Sequence, residues 1–320
     1  MKVLTVGMMV CDIPLAPVPR SIFRMEKAEI DEPQATTGGD ALNVAVTLAK
    51  LGAEVSIAGR LGRDENGREV MRQAEGHGVD TAYIIWDTGH KTAVSYLLLD
   101  EEGEKHALSN TRIYHALSNA DVPERAIQEA DIVYFGSAFQ MKQMDDGGIL
   151  ELFQRAHRYG KITAMDTAMN DDMESRERLL EKLRPVFKET DLFLPSSKEA
   201  SFLSGHREPH EMAEFFKALG VKICGIKLGD KGCYVTDLRR EYEIPCFSGF
   251  QAVDTTGAGD SFVGGFLYGY LRGWDIEECA IFASAVAAHN VAAKGATGGV
   301  PDFRTVMEYL QKQGKKIKNN

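Results

Sequence analysis

Residues 254–262 read Asp-Thr-Thr-Gly-Ala-Gly-Asp-Ser-Phe, two carboxylates and two hydroxyls around a turn of three very small residues. Gly257, Ala258 and Gly259 leave backbone N–H groups room to close around an anion, and an apolar helical run, Phe262 to Leu271, follows directly. A helix opening there aims its unpaired amides and the positive end of its dipole at whatever the loop holds. Such a loop suits a phosphate group. Asp260 is a carboxylate placed at an anion site, which is electrostatically awkward unless it takes or orients the proton of a hydroxyl attacking phosphorus. Asp is also an ordinary helix cap and Gly-rich turns precede many helices for conformational reasons, so the loop alone leaves both readings open. Two nucleotide signatures are excluded. Phe262 stands where a G-x-G-x-x-G fingerprint needs its third Gly, and no G-x-x-x-x-G-K-[ST] occurs in the sequence.

A second constellation is Thr36-Thr37-Gly38-Gly39-Asp40-Ala41-Leu42-Asn43, leading into a helix over Ala41–Leu51 that is apolar nearly all round, with Gly52 as its stop. Asn43 then lies in the first turn, where side chains lean toward the N-terminus and the open backbone of Gly38 and Gly39. Its amide offers donors and an acceptor to neighbouring sugar hydroxyls, although Asn near a helix start also serves as a local cap. Asp12 follows the first strand, and carboxyl ends of parallel strands are where open α/β sheets bind ligands. An Asp two residues before Pro14 also suits a plain turn.

The elements that must carry these residues follow an alternating grammar. Val3–Val10, Val55–Gly59, Ile132–Phe135, Ile162–Met165, Leu192–Leu194 and Ile223–Leu228 read as buried strands. Ile149–Tyr159, Arg176–Phe187 and Pro209–Leu219 read, with Ala41–Leu51, as helices between them. This predicts a doubly wound, mostly parallel α/β sheet with helices on both faces. Cys233–Thr236 and Glu241–Ile244 read as an antiparallel hairpin added at one edge. Two segments break the alternation: residues 13–36, with four prolines, and residues 91–110, with two strand-like runs. Strands from these two places are expected to pair into a small β-sheet lid. The main domain is then 1–12, 37–90 and 111–320.

Length and composition agree with a soluble globular protein of one large α/β domain or two smaller ones. The 320 residues are 44% hydrophobic and carry a formal net charge of −10, which argues against nucleic acid or an anionic membrane as partner. No run of eighteen apolar residues occurs and the N-terminus lacks a signal-peptide layout, so a cytoplasmic protein is expected. The five cysteines are scattered and odd in number, and are expected to be reduced and buried. His206 and His210 flank Glu208 in a polar stretch read as a solvated loop rather than a metal site.

With both glycine motifs in place and in this order, the chain resembles the ribokinase-like, PfkB-type carbohydrate kinase family over essentially its whole length. Asp12-Ile13-Pro14-Leu15 and Thr36 to Ala41 resemble in particular a group of bacterial sugar kinases of poorly defined substrate. The resemblance implies a ribokinase-like fold, ATP and Mg²⁺ as cofactors, K⁺ in many members, and a homodimer formed through the lid. It implies that Asp260 is the catalytic base, with the amides of Gly257, Ala258 and Gly259 around the transferring phosphoryl group. It assigns Asp12, Gly39, Asp40 and Asn43 to the sugar. Lys227, Gly229, Gly232, Thr256 and Asn290 fall to the nucleotide side, Glu199 to a water-mediated Mg²⁺ contact, and Asp254, Thr256 and Gly295 to a monovalent cation.

Three departures from the family pattern stand out. Ser196 replaces the Asn of Asn-x-x-Glu ahead of Glu199. The pattern Asp-x-Asn-x-Arg survives only as Asp166, with Ala168 and Asn170 in the other places, and Arg112 is the substitute the sequence offers. Lys227 stands where many members have Thr. The expected activity is ATP-dependent phosphorylation of a hydroxyl on a monosaccharide or polyol. A nucleoside or sugar-acid kinase, or a non-catalytic sugar sensor, remains the alternative, and a nicotinamide enzyme is disfavoured by the missing third Gly.

Overall fold

β-Branched and apolar runs bounded by glycine turns form strands because both faces of the sheet they enter are covered. The computed structural model describes residues 1–102, 104–169, 174–237 and 239–318. Its strands are β1 (Lys2–Val6), β2 (Val10–Leu15), β3 (Thr36–Gly38), β4 (Glu54–Gly62), β5 (Asp80–Asp87), β6 (Val94–Leu99) and β7 (Lys105–Asn110). They continue with β8 (Ile132–Ala138), β9 (Ile162–Thr167), β10 (Leu192–Phe193), β11 (Ile223–Lys227), β12 (Cys233–Thr236) and β13 (Glu241–Ile244). The helices are α1 (Asp40–Lys50), α2 (Glu65–Gly76), α3 (Glu124–Glu129), α4 (Ile149–Arg158) and α5 (Arg176–Lys188). After them come α6 (Ser197–Ser204), α7 (Pro209–Ala218), α8 (Ala258–Leu271), α9 (Ile276–Asn290) and α10 (Phe303–Lys312).

Among the described residues, one sheet runs in the order β13-β12-β11-β10-β9-β8-β1-β4-β5. It is parallel except for β12 and β13, the hairpin expected at the edge. Alternate strand residues feed two cores. Ile132 and Tyr134 join α1, α8 and α9 through Leu42, Phe266 and Phe282, while Val133 and Phe135 join α4, α5 and α7 through Phe153, Phe187 and Phe216. The doubly wound sheet expected from the sequence is therefore present, extended by β5 and α2, which the apolar pattern did not reveal. His210 lies not in a loop but in the first turn of α7, where its ring meets Glu241 at 3.0 Å.

The second sheet has the order β3-β2-β6-β7. β2 pairs parallel with β6 and antiparallel with β3, so strands from two distant parts of the chain do meet in a separate small sheet. Its composition differs from the expectation at one end. Val3–Val10 is not one strand: Gly7, at φ 147 with the Gly136 carbonyl oxygen 2.5 Å from where a Cβ would stand, turns the chain out of the main sheet. The chain enters the small sheet at Val10. Asp12 and Gly38 are thus residues of the small sheet, with the Asp12 carboxylate lying against Gly38.

Local chemistry sets the helix starts that face the small sheet. Gly39 precedes α1 at φ 93, and Gly257 precedes α8 at φ 71, conformations that L side chains rarely adopt. Gly52 ends α1 at φ 91, the stop its position predicted. α8 packs against both α1 and α9 in the core, so the two N-termini are rigidly placed toward one another.

Candidate active site

The carboxyl ends of the central strands, the N-termini of α1 and α8, and the small sheet enclose two adjoining cavities. One, of about 330 Å³, is bounded by Asp12, Gly38, Gly39, Asp40, Asn43, Gly257 and Asp260, with Ser95, Thr111, Tyr114 and Gln140 around them. The other, of about 390 Å³, lies between β11, the turn after it, and α8 and α9. Lys227, Gly229 and Gly232 line it on one side, Ala258 and Gly259 on another, and Phe247, Phe250, Ala287 and Val291 give it apolar walls. The 257–259 turn separates the two.

Asp260 sits at this partition. Asn43 donates to its Oδ2 at 2.7 Å, which leaves the second carboxylate oxygen for a substrate. Asn43 Oδ1 is buried and has no hydrogen-bond partner among the described residues, and Asn43 lines the 330 Å³ cavity; an orphaned acceptor there is satisfied by a ligand hydroxyl. Burial raises the Asp260 carboxyl above the ordinary carboxylate range, while Asn43 and Lys227 pull it back down. Burial and the Asp260 charge raise Asp40 as well. Two carboxyls facing one cavity do not both ionise freely, and the one with the amide and ammonium beside it holds the charge.

The anion cradle differs from the expectation in one amide. The Ala258 N–H donates to the Thr255 carbonyl at 3.2 Å, so it is already engaged. The N–H groups of Gly257, just before α8, and of Gly259 and Asp260, in its first turn, have no backbone partner among the described residues, as helix geometry leaves the first amides open. Gly257 admits no larger residue: a Cβ would lie 2.0 Å from the Ala296 carbonyl oxygen.

The 254–257 turn is tied to the loop after α9. Asp254 accepts from Thr256 N and Gly295 N, both at 2.9 Å. Asn290 is fully buried and donates to the carbonyls of Ala296 at 2.8 Å and Thr256 at 3.4 Å, while its Oδ1 accepts from Gly299 N. Asn290 is not among the residues lining either cavity; it staples two loops. Thr256 lines the cavity with Asp12 rather than the one beside Lys227. Gly232 does line the latter, at φ 96 with the Ile244 carbonyl oxygen 1.9 Å from a notional Cβ, a close approach only glycine allows.

Glu199 is pinned by the residue that departs from the family pattern. Ser196 donates to its Oε2 from both N and Oγ, at 2.8 and 2.6 Å, in a capping box at the start of α6. Among the described residues its Oε1 accepts from Met169 N at 3.3 Å, a long contact for a carboxylate oxygen that can accept more than one donor. Among the described residues no cluster of three acidic, Cys or His ligands is built to chelate a metal directly, which suits an ion held through phosphate oxygens and water. Ala168 contributes its carbonyl, which accepts from Gln140 Nε2 at 2.7 Å; Asn170 lies outside the described residues.

Two sequence expectations are corrected here. Arg112 is exposed in a short turn and does not line the cavity, although its neighbours Thr111 and Tyr114 do. Cys246 is exposed and lines the second cavity, whereas the other four cysteines are free and buried. Other site residues carried no sequence signal. Gln140 follows Ser137, near the end of β8, and Phe139, just past it, non-glycine residues at φ 77 and 82; such strain gathers at functional turns and cannot be read from residue types. Lys105, on β7, donates to Thr256 Oγ1 at 2.5 Å, fastening the small sheet to the 254–257 turn.

Comparison with known proteins agrees with this geometry. A family model described as pfkB family carbohydrate kinase matches residues 1–302. An uncharacterized sugar kinase of Archaeoglobus fulgidus is 31% identical over 255 residues, covering 79% of this chain and 98% of that one. Fructokinase-1 of Oryza sativa is 29% identical, over 86% and 87% of the two chains. Among solved structures, ribokinase from Thermotoga maritima superposes with a TM-score of 0.83 at 26% identity, over 97% of this chain and 99% of its own. Arabidopsis thaliana ribokinase complexed with ribose and ATP shares the fold, with a TM-score of 0.82 at 24% identity over 97% and 98%. By family, by fold and by the carboxylate held against an open helix N-terminus, this chain belongs to the pfkB family of carbohydrate kinases.

Proposed function

We propose that the enzyme transfers the γ-phosphoryl group of ATP to a hydroxyl of a neutral monosaccharide or polyol held in the cavity below the small sheet. The observation that carries this reading is the Asn43–Asp260 hydrogen bond at the partition between the two cavities. It fixes a carboxylate between an acceptor site and a row of open amides. The acceptor cavity offers Asp12, Asp40 and Asn43, groups that accept and share hydroxyl protons. The neighbouring cavity offers apolar walls for a base and Gly259 for phosphates. Arg112 stands outside the lining, which favours a neutral acceptor over a sugar acid.

A sugar hydroxyl is a very weak acid, so Asp260 accepts its proton late, as the oxygen bonds to phosphorus in a loose transition state. Asn43 holds the carboxylate in line, and the open amides of Gly257 and Gly259 face the charge on the phosphoryl oxygens. Glu199 and Asp166 would meet Mg²⁺ through its water shell. The ion, when bound with the nucleotide, neutralises charge on the phosphates. A monovalent cation near Asp254 and Gly295 remains a proposal, since both oxygens of Asp254 already accept backbone N–H groups. The small sheet acts as a lid that Lys105 fastens to Thr256, excluding water. Its exposed cross-strand pair, Tyr96 and Leu108, supports pairing of two lids in a homodimer, which the solution mass from light scattering checks.

The test is ADP release from ATP across ketoses, aldoses, polyols, sugar acids and nucleosides, beginning with fructose and ribose after the names of the relatives. Turnover with a neutral sugar supports the reading. Turnover confined to sugar acids or nucleosides contradicts the acceptor class, and sugar binding without any ADP release contradicts the activity.

A further inference from the structure

Lys227 is the one residue with a cationic side chain among those lining the two cavities. It projects from the end of β11, and its terminal atoms lie against Gly259: both Cε and Nζ stand 3.6 Å from where a Cβ on that glycine would be. The ammonium therefore abuts the turn whose amides are open. Its partner is Asp166, at the end of β9 two strands away, with which it makes a tight ion pair. Lys227 and Asp166 are both largely buried.

The two members of this pair are not equally fixed. Asp166 Oδ1 accepts from Thr167 N at 2.8 Å, and the strand end on which it sits is buried. Lys227 has a four-carbon stem with several rotatable bonds. Burial works against its charge, but Asp166, Glu199 and Asp260 outweigh that and keep it an ammonium. A buried ion pair is a weak source of stability, because desolvation consumes most of the Coulombic gain. Its place here, beside the cradle and among carboxylates that would repel a polyphosphate, has a better explanation in the chemistry of the site.

We propose that Lys227 is the protein's own cation for the transferring phosphoryl group, parked on Asp166 in the free enzyme and exchanging that carboxylate for β- and γ-phosphate oxygens when the nucleotide docks. This rests on the kinase reading and adds to it a residue and an exchange of partners. The exchange keeps charge balanced in the free enzyme and supplies a cation where phosphate arrives. Asp166, released from the ammonium, is then free to face the water shell of a divalent ion.

The test compares wild type with Lys227→Met, Lys227→Arg and Asp166→Asn, using the full chain. Affinity is measured for an imidotriphosphate analogue of ATP and for AMP, together with kcat and both KM values for the acceptor found active. Lys227→Met should lower kcat about 10²-fold or more, the scale of one lost charge-stabilising donor. It should also abolish most of the preference for triphosphate over monophosphate while leaving the acceptor KM unchanged. Lys227→Arg should recover about tenfold of the loss, because a guanidinium still meets phosphate. Asp166→Asn, measured without Mg²⁺ so that its part toward the ion does not enter, should keep or tighten triphosphate binding, since the competing carboxylate is gone.

If Lys227→Met keeps the triphosphate preference, or Asp166→Asn weakens it as much as Lys227→Met does, the pair is merely structural and the proposal fails. Should Lys227→Met not fold, the double replacement with Asp166→Asn removes both charges and carries the same binding test. A wild type that releases no ADP with any acceptor counts against the kinase reading, while the triphosphate preference still judges Lys227.

Discussion

Asn43 donates its side-chain amide to Asp260 Oδ2 across 2.7 Å, although 217 positions separate the two in the chain. One belongs to the first turn of α1 and the other to the first turn of α8. The contact joins the two glycine motifs of the sequence: one helix start carries the proposed base, and the other carries the amide that would aim it.

Removing the aim without the base separates these roles. Asn43→Ala should keep the fold, lower kcat by about 10-fold or more for a mispositioned base, and raise the acceptor KM. Steady-state kinetics beside a thermal melt checks this. Unchanged kinetics would mean that Asp260 is oriented by something other than Asn43.

The same variant tests the electrostatics. A base at Asp260 works only when ionised, and burial pushes its carboxyl up to about 6, above the ordinary carboxylate range, against the lowering pull of Asn43 and Lys227. Activity should therefore fall, as pH drops, through a limb lying above the ordinary carboxylate range. Loss of the Asn43 amide removes a lowering interaction, so in Asn43→Ala the limb should move to still higher pH. A pH profile of kcat over KM reads both; a limb at the ordinary value in both proteins would contradict the burial argument.

Gly257→Ala should be costly although it adds one carbon. The new Cβ would meet the Ala296 carbonyl oxygen at 2.0 Å, at a backbone φ of 71, so the turn must move. A strain of about 1–3 kcal/mol is expected, seen as a lower melting temperature, together with a kcat reduced at least about 10-fold as the amides leave their places. Gly249→Ala, at φ 99 with open space around it, is the control: it carries the backbone strain without the clash and should keep its turnover.

Lys105 reaches from the small sheet to Thr256 Oγ1. Lys105→Ala should loosen that fastening, raise the acceptor KM and increase ATP hydrolysis in the absence of sugar, because water is excluded less well. ADP release without acceptor is the readout. A variant with unchanged background hydrolysis would show that the contact does not govern closure.

The parts of this enzyme legible in its sequence are those whose residue types are forced by backbone or charge. Glycine at 39, 232 and 257 marks positions where φ is positive and another backbone lies too close for a side chain, and the motifs around them led to Asp260 and Asn43. Parallel strands were legible because both their faces are buried. The break between β1 and β2 was not, since Gly7-Met8-Met9 interrupts an apolar run without changing its character, and only tertiary pairing reveals that Asp12 belongs to the small sheet. Helix α9 is apolar around its whole circumference and left little period to read. Gln140 and Lys105 enter the site through a strained turn and a contact between sheets, and Arg112, a tempting cation by position, turns out exposed. These are facts of tertiary geometry rather than of local pattern.

The most direct test of the account is sugar-dependent transfer of labelled γ-phosphate by wild type and Asp260→Asn, with affinities for sugar and ATP measured on both. Asp260→Asn should bind both ligands nearly as well as wild type while its turnover falls by ~10²–10⁴-fold, the loss typical of a general base. Turnover equal to that of wild type would contradict it and leave the base to be sought elsewhere.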